Sequence, residues 1–110
     1  MFNSQLPAVD ASGVPADGIL LDVRENDEWA AGHAEQALHI PMGEIVGRIA
    51  EVPDGGTVHV ICRVGGRSGQ VAQYLIAQGV DAVNVDGGML AWEAAGRPLV
   101  TDGDGPAFVL

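Results

Sequence analysis

No lysine occurs in this 110-residue chain, and its positive charge rests on five arginines: Arg24, Arg48, Arg63, Arg67 and Arg97. Against 15 Asp and Glu they leave a formal net charge of −10. A chain this acidic offers no broad basic face, which argues against nucleic acid or an anionic membrane as partner. Cysteine is nearly absent as well. Cys62 stands alone, so there is no internal disulfide and no call for an oxidising compartment. No stretch approaches the ~18 consecutive apolar residues of a membrane span. Residues 1–21 hold neither Lys nor Arg and no apolar run of signal-peptide length, so the expected location is cytoplasmic. His33, His39 and His59 are not spaced as a metal site. Aromatic residues are only 5% of the chain, and Trp29 and Trp92 read as core rather than ligand platforms.

What is present is a globular composition, 47% hydrophobic, of a length that makes one domain. Gly18 leads into Ile19-Leu20-Leu21-Asp22-Val23, the run of a parallel strand buried on both faces. Residues 37–40, stopped by Pro41, residues 58–61 and residues 82–85 read as further strands. Pro7 confines residues 6–9 to a short edge strand. Helices are expected over residues 25–31, 44–51, 68–78 and 89–95, with Gly32, Gly79 and Gly96 closing three of them. Strands alternating with helices predict an α/β fold, a parallel sheet of four to five strands flanked by helices. The expected division is an N-terminal segment over 1–17, a domain over 18–99 and a tail over 100–110. The tail's apolar end, Ala107-Phe108-Val109-Leu110, is expected to dock on the domain or on a partner.

The chemistry concentrates at Cys62-Arg63-Val64-Gly65-Gly66-Arg67-Ser68, between the strand over 58–61 and the helix over 68–78. The strand ends at the thiol, which places sulfur at the carboxyl edge of the sheet, where open α/β sheets bind ligands. Gly65 and Gly66 let the backbone curl so that successive N–H groups point inward as an anion nest. The helix N-terminus adds its dipole. Arg63 and Arg67 add full charge, a local positive spot on a negative body that would draw an anion. All of these favour the thiolate. An inert buried cysteine is the plainer reading, but it leaves the crowding of two arginines and two glycines unexplained. The lesser alternative for Arg67 is to point outward or to pair with a structural carboxylate. Asp22 and Arg24 are candidates for a supporting ion pair at the neighbouring strand end. His59 should face away from the sulfur, because side chains alternate along a strand, and His33 reads as the holder of a turn.

Four stretches together resemble a single-domain rhodanese, a persulfide-forming sulfurtransferase. They are Leu20-Leu21-Asp22-Val23-Arg24-Glu25; Glu28-Trp29 with Gly32-His33, Ala37 and Ile40-Pro41; the Cys62–Ser68 loop; and Asp86-Gly87-Gly88-Met89 with Ala91-Trp92 and Gly96-Arg97-Pro98. The likeness covers residues 18–99 and implies the rhodanese-like three-layer domain. One departure stands out. Ala34-Glu35-Gln36-Ala37 replaces the family's Ile-Pro-Gly-Ala after Gly-His, and His39 stands where Asn is common.

The resemblance implies a mechanism in which Cys62 takes the outer sulfur of a small anionic donor such as thiosulfate. It then passes that sulfur, held as a persulfide by the loop of Arg63, Val64, Gly65, Gly66, Arg67 and Ser68, to a thiophilic acceptor. Cyanide or a thiol would serve, a thioredoxin-like or other protein thiol included. Arg63 and Arg67 would orient the donor, and neither metal nor organic cofactor is required. A phosphatase branch shares the fold. The spacing from Cys62 to Arg67 is Cys-x4-Arg, one residue shorter than the phosphatase loop, which favours sulfur over a phosphoryl group. The alternatives are a non-catalytic interaction module or a persulfide carrier dedicated to one pathway.

Overall fold

A computed structural model describes residues 6–110. Five strands form one sheet: β1 (Ala8–Asp10), β2 (Ile19–Asp22), β3 (Leu38–His39), β4 (Val58–Ile61) and β5 (Ala82–Asp86). Every pairing is parallel, in the order β1-β5-β4-β2-β3. β1 takes an edge, as Pro7 requires, and the Pro7 carbonyl accepts the Asn84 N–H at 2.8 Å. Residues 1–5 of the expected N-terminal segment lie outside the described residues.

β4 is central and buried along its whole length. Its side chains alternate between two apolar layers. Val58, Val60 and then Cys62 join Leu21, Val23, Val71, Ala72 and Leu75 under the helix α2 (Gly66–Ala77). Ile61 joins Leu20, Val85, Met89 and Trp92 under the helix α3 (Gly88–Ala94). Sheet between helices gives the three layers. α2 starts two residues earlier than its periodicity suggests and closes as expected. Gly79 takes φ +87°, the left-handed backbone of a C′ residue, while Val80 and Gly79 N–H groups return to the Leu75 and Ile76 carbonyls.

The short helix α1 (Asn26–Ala31) follows β2 and buries none of its residues. It is fixed at its start by a reciprocal capping box between Glu25 and Glu28. The helix expected over 44–51 does not form. Two 3-10 turns, Met42–Glu44 and Ile49–Glu51, flank a turn instead. Gly43, Gly47 and the β-branched Ile45, Val46 and Ile49 are poor α-formers. Arg48 braces the segment by ion pairs to Glu44 (2.8 Å) and Glu51 (2.9 Å).

The tail runs back over α1. His33 and Val100 exchange a pair of backbone bonds (2.9 and 2.8 Å), and Phe108 N–H reaches the Ala31 carbonyl at 3.1 Å. Gly32 makes this crossing possible, since a Cβ there would collide with the Phe108 backbone.

Candidate active site

β4 ends at Ile61, and the chain turns through Cys62 to Gly65 into α2. Two devices fix the turn. Gly65 caps α2 at φ +114°, a region that L side chains avoid. Gly66, by contrast, is ordinary helix, and a Cβ there would meet nothing. On the other side, the Cys62 and Arg63 carbonyls accept the N–H groups of Met89 (2.8 Å) and Leu90 (3.1 Å). These belong to the first turn of α3, whose donors have no partner within the helix. Gly88, at φ +56°, is where the two segments meet. A Cβ there would collide with the carbonyl oxygen of Cys62.

Cys62 lies on the floor of this loop, only 1% exposed. Gly65 N–H donates to its Sγ at 3.1 Å, and Ser68 Oγ lies 3.3 Å away. Burial pushes the thiol up, but hydrogen bonds from the Ser68 hydroxyl and from the Ser68, Gly65 and Val64 N–H groups outweigh it. The net effect holds Cys62 below its ordinary value. The outcome is a thiol at a helix N-terminus whose anion is favoured.

Ser68 is held in turn by Asn84 on β5, a residue outside all of the sequence motifs. The single Ser68 hydroxyl proton is shared between Cys62 Sγ and Asn84 Oδ1, which accepts at 2.6 Å. The Asn84 amide is oriented because its Nδ2 donates to the Gly65 carbonyl (3.2 Å) and to Asp86 Oδ1 (3.1 Å). One polar residue inside an otherwise apolar strand was the available signal.

The two loop arginines are both engaged. Arg67 donates from Nη1 and Nη2 to the two carboxylate oxygens of Glu28, at 2.7 and 2.9 Å. Arg63 is exposed, and its Nε donates to the Leu110 carbonyl at 3.1 Å. Val64 is exposed beside it. Asp22 and Arg24 form a fully buried pair at the end of β2, closed at 2.8 Å. Arg24 also donates to the carbonyls of Glu28 (3.3 Å) and Gly32 (2.8 Å), so the pair tethers α1 beside the loop.

The histidines lie apart from the sulfur. His59 bonds the Ile19 carbonyl at 2.9 Å and lines a cleft of about 390 Å3 at the amino ends of the strands, away from Cys62. His33 bonds the Trp29 carbonyl at 2.7 Å. His33 and His39 stack on Trp29 at 3.6 and 4.6 Å between ring centres. Trp92 is core, as expected, while Trp29 is half-buried.

A lone cysteine thus ends the central strand of a five-stranded parallel sheet, with N–H groups of the following turn directed at its sulfur. The rhodanese-like domain model matches residues 8–95, and the chain belongs to that family. It is 46% identical over 79 residues to the Bacillus subtilis protein named "Putative sulfurtransferase YtwF", covering 72% of this chain and 77% of that protein. It is 41% identical over 85 residues to a protein of Allochromatium vinosum named "Sulfurtransferase", covering 76% and 79%. Among solved structures, a rhodanese-related protein from Thermoplasma volcanium superposes with a TM-score of 0.81 at 28% identity, covering 86% of this chain and 97% of that one. The chain is thus a rhodanese-type sulfurtransferase at the level of the family. No helix among the described residues is long and apolar enough to cross a membrane.

Proposed function

We propose that this protein transfers sulfane sulfur from a small anionic donor, such as thiosulfate, to a thiol or cyanide through a persulfide on Cys62. The Cys62 thiolate attacks the outer sulfur of the donor. The new S–S bond forms as the bond to the sulfonate sulfur breaks, and the electron pair leaves on sulfite. An acceptor thiolate then attacks the outer persulfide sulfur, and Cys62 leaves as the thiolate. The N–H groups of Val64, Gly65 and Ser68 stabilise negative charge on sulfur before and after transfer. Arg63 stands at the rim to meet the donor, and Arg67 supports the loop from its pair with Glu28. Asp22 and Arg24 act at one remove, by holding α1.

The observation that carries this reading is the set of donors converging on a single buried sulfur. Intact mass measured after thiosulfate treatment should rise by one sulfur atom and fall back on reduction. Cys62→Ser should show no gain. Absence of gain in the unmodified protein, with thiosulfate and with other sulfane donors, would favour an interaction module instead.

A further inference from the structure

The charge around the mouth of the Cys62 loop is not the positive spot that the two loop arginines promise. Arg67 is matched by Glu28 through two short bonds, one from each terminal nitrogen. That hydrogen bonding from Arg67 holds the Glu28 carboxyl down to about 2, so Glu28 is ionised across the neutral range. Glu25, the cap residue of α1, is a second carboxylate whose charge acts on Arg67. Asp86 is a third, bonded to the same Asn84 nitrogen that holds the Gly65 carbonyl. Arg24 is cancelled by Asp22. The segments that meet at the loop therefore bring two guanidinium groups, Arg63 and Arg67, and three carboxylates, Glu25, Glu28 and Asp86, before the thiolate adds its own charge. The backbone N–H groups still favour a thiolate, because they supply dipoles rather than net charge. What the site lacks is surplus positive charge for further anions.

Donors differ in how much of that surplus they need. Thiosulfate is a dianion at neutral pH, so its encounter with the thiolate gathers three negative charges. A persulfide, R–S–SH, brings one charge when ionised and none when protonated. We infer that Glu28 is a specificity-determining residue: by neutralising Arg67 it sets the site against a dianionic donor and in favour of a persulfide of lower charge. The inference rests on the reading of Cys62 as the sulfur acceptor. The step balances without an oxidant or reductant. Cys62 Sγ bonds the outer sulfur of R–S–SH, the S–S bond of the donor breaks, and its electron pair leaves on R–S⁻. The proton stays on the transferred sulfur, so one negative charge enters and one leaves.

The test compares kcat/KM for thiosulfate and for a small alkyl persulfide, with one acceptor, in the unmodified protein and in Glu28→Gln. Glutamine serves at the third position of a capping box as glutamate does, and its carbonyl oxygen accepts from Arg67, so the shape of the site is kept. The ratio of thiosulfate to persulfide kcat/KM should rise by about tenfold or more, because one unit charge near a dianion is worth at least that even at an effective dielectric near 20. A ratio that stays within about twofold, or falls, overturns the inference. A second readout needs no variant. Salt should raise thiosulfate kcat/KM in the unmodified protein by screening a net repulsion, and should change persulfide kcat/KM less. A fall of thiosulfate kcat/KM with salt would mean net attraction and would overturn the inference even if Glu28→Gln did not fold. A Cys62 that gains sulfur from neither donor overturns the proposed transfer itself, and the role of Glu28 with it.

Discussion

Removing Asp22 should cost this protein a large share of its stability, because the residue it leaves behind is a buried arginine. Arg24 and Asp22 are both 0% exposed. Arg24 Nε lies 3.0 and 3.1 Å from the two carboxylate oxygens, Nη2 lies 2.8 Å from one of them, and the Arg24 backbone N–H adds a bond of 3.0 Å. The guanidinium keeps only the Glu28 and Gly32 carbonyls when Asp22 becomes alanine. Breaking one side of such a pair costs about 3–5 kcal/mol. A domain of this size has about 5–15 kcal/mol in total. The expected fall in Tm is about 15–30 °C. Asp22→Ala/Arg24→Met removes both charges and keeps most of the volume. It should lose less than the sum of the single variants by about 1–3 kcal/mol. Urea unfolding of the two single variants and the double, followed by circular dichroism, measures all three terms. The reasoning fails if Asp22→Ala costs less than about 1 kcal/mol with an unchanged m-value, the behaviour of an exposed pair. It also fails if the double variant loses the full sum. Where folded protein remains, sulfur transfer should fall too, since Arg24 holds the helix that carries Glu28 to Arg67.

Ser68→Ala should move the alkylation midpoint of Cys62 upward, because it removes the hydroxyl 3.3 Å from the thiolate, whose proton Cys62 shares with Asn84. A rate–pH curve unmoved or moved down would show that Ser68 serves Asn84 alone. Gly88→Ala should lose more than about 1 kcal/mol and most sulfur transfer, since its backbone is left-handed and a Cβ meets the Cys62 carbonyl; near-native stability would refute this. Glu28 is lowered from 4.5 to about 2 in the fold, so its stabilising contribution is complete above pH 4.5 and drains away as pH falls toward 2. Because the pair is partly exposed, the loss is on the order of 1 kcal/mol. Urea midpoints at about pH 6 and about pH 3 should therefore differ more in the unmodified protein than in Glu28→Gln. Aryl phosphates should not be hydrolysed at any rate that depends on Cys62. Phosphate release faster than sulfur transfer, and lost in Cys62→Ser, would overturn the argument from loop length.

Strand identity was legible because the signal is local. Ile19–Asp22 and Val58–Ile61 are apolar runs of the right length between turn residues, and the pairing of their neighbours follows from right-handed crossovers. The helix expected over 44–51 shows the limit of that signal. Its apolar spacing fits a helix, but Gly47, with Gly43 just before it, and three β-branched residues tip the balance to 3-10 turns. β3 shrank to Leu38–His39 because it sits on an edge with one partner. The path of residues 100–110 was not legible. Its bonds to α1 are mostly backbone bonds, joined by the Thr101 hydroxyl to the Ala30 carbonyl, and the crossing at Phe108 depends on Gly32 having no side chain.

The candidate site divides along the same line, between residues adjacent in sequence and residues brought together by topology. The donors to Cys62 come from its own turn and from the helix that follows, so a seven-residue string contained them. Glu28 lies 39 residues from Arg67, and nothing in either segment names the other. Their meeting follows from the sheet. β2 and β4 are neighbours in parallel register, with Asp22 opposite Ile61, so the chain leaves both strands at the same edge and at the same level. Whatever follows β2 must then stand beside whatever follows β4. Arg24, fixed by Asp22, holds α1 by two carbonyls, and α1 presents Glu28 to the loop. The same rule places Asn84. It lies opposite Val60 on β5, two residues short of the level of Cys62, and reaches the sulfur through Ser68. A net charge counted from the loop alone is therefore the wrong count. The charge that a sulfur donor meets is that of all three strand ends, and two of them contribute carboxylates.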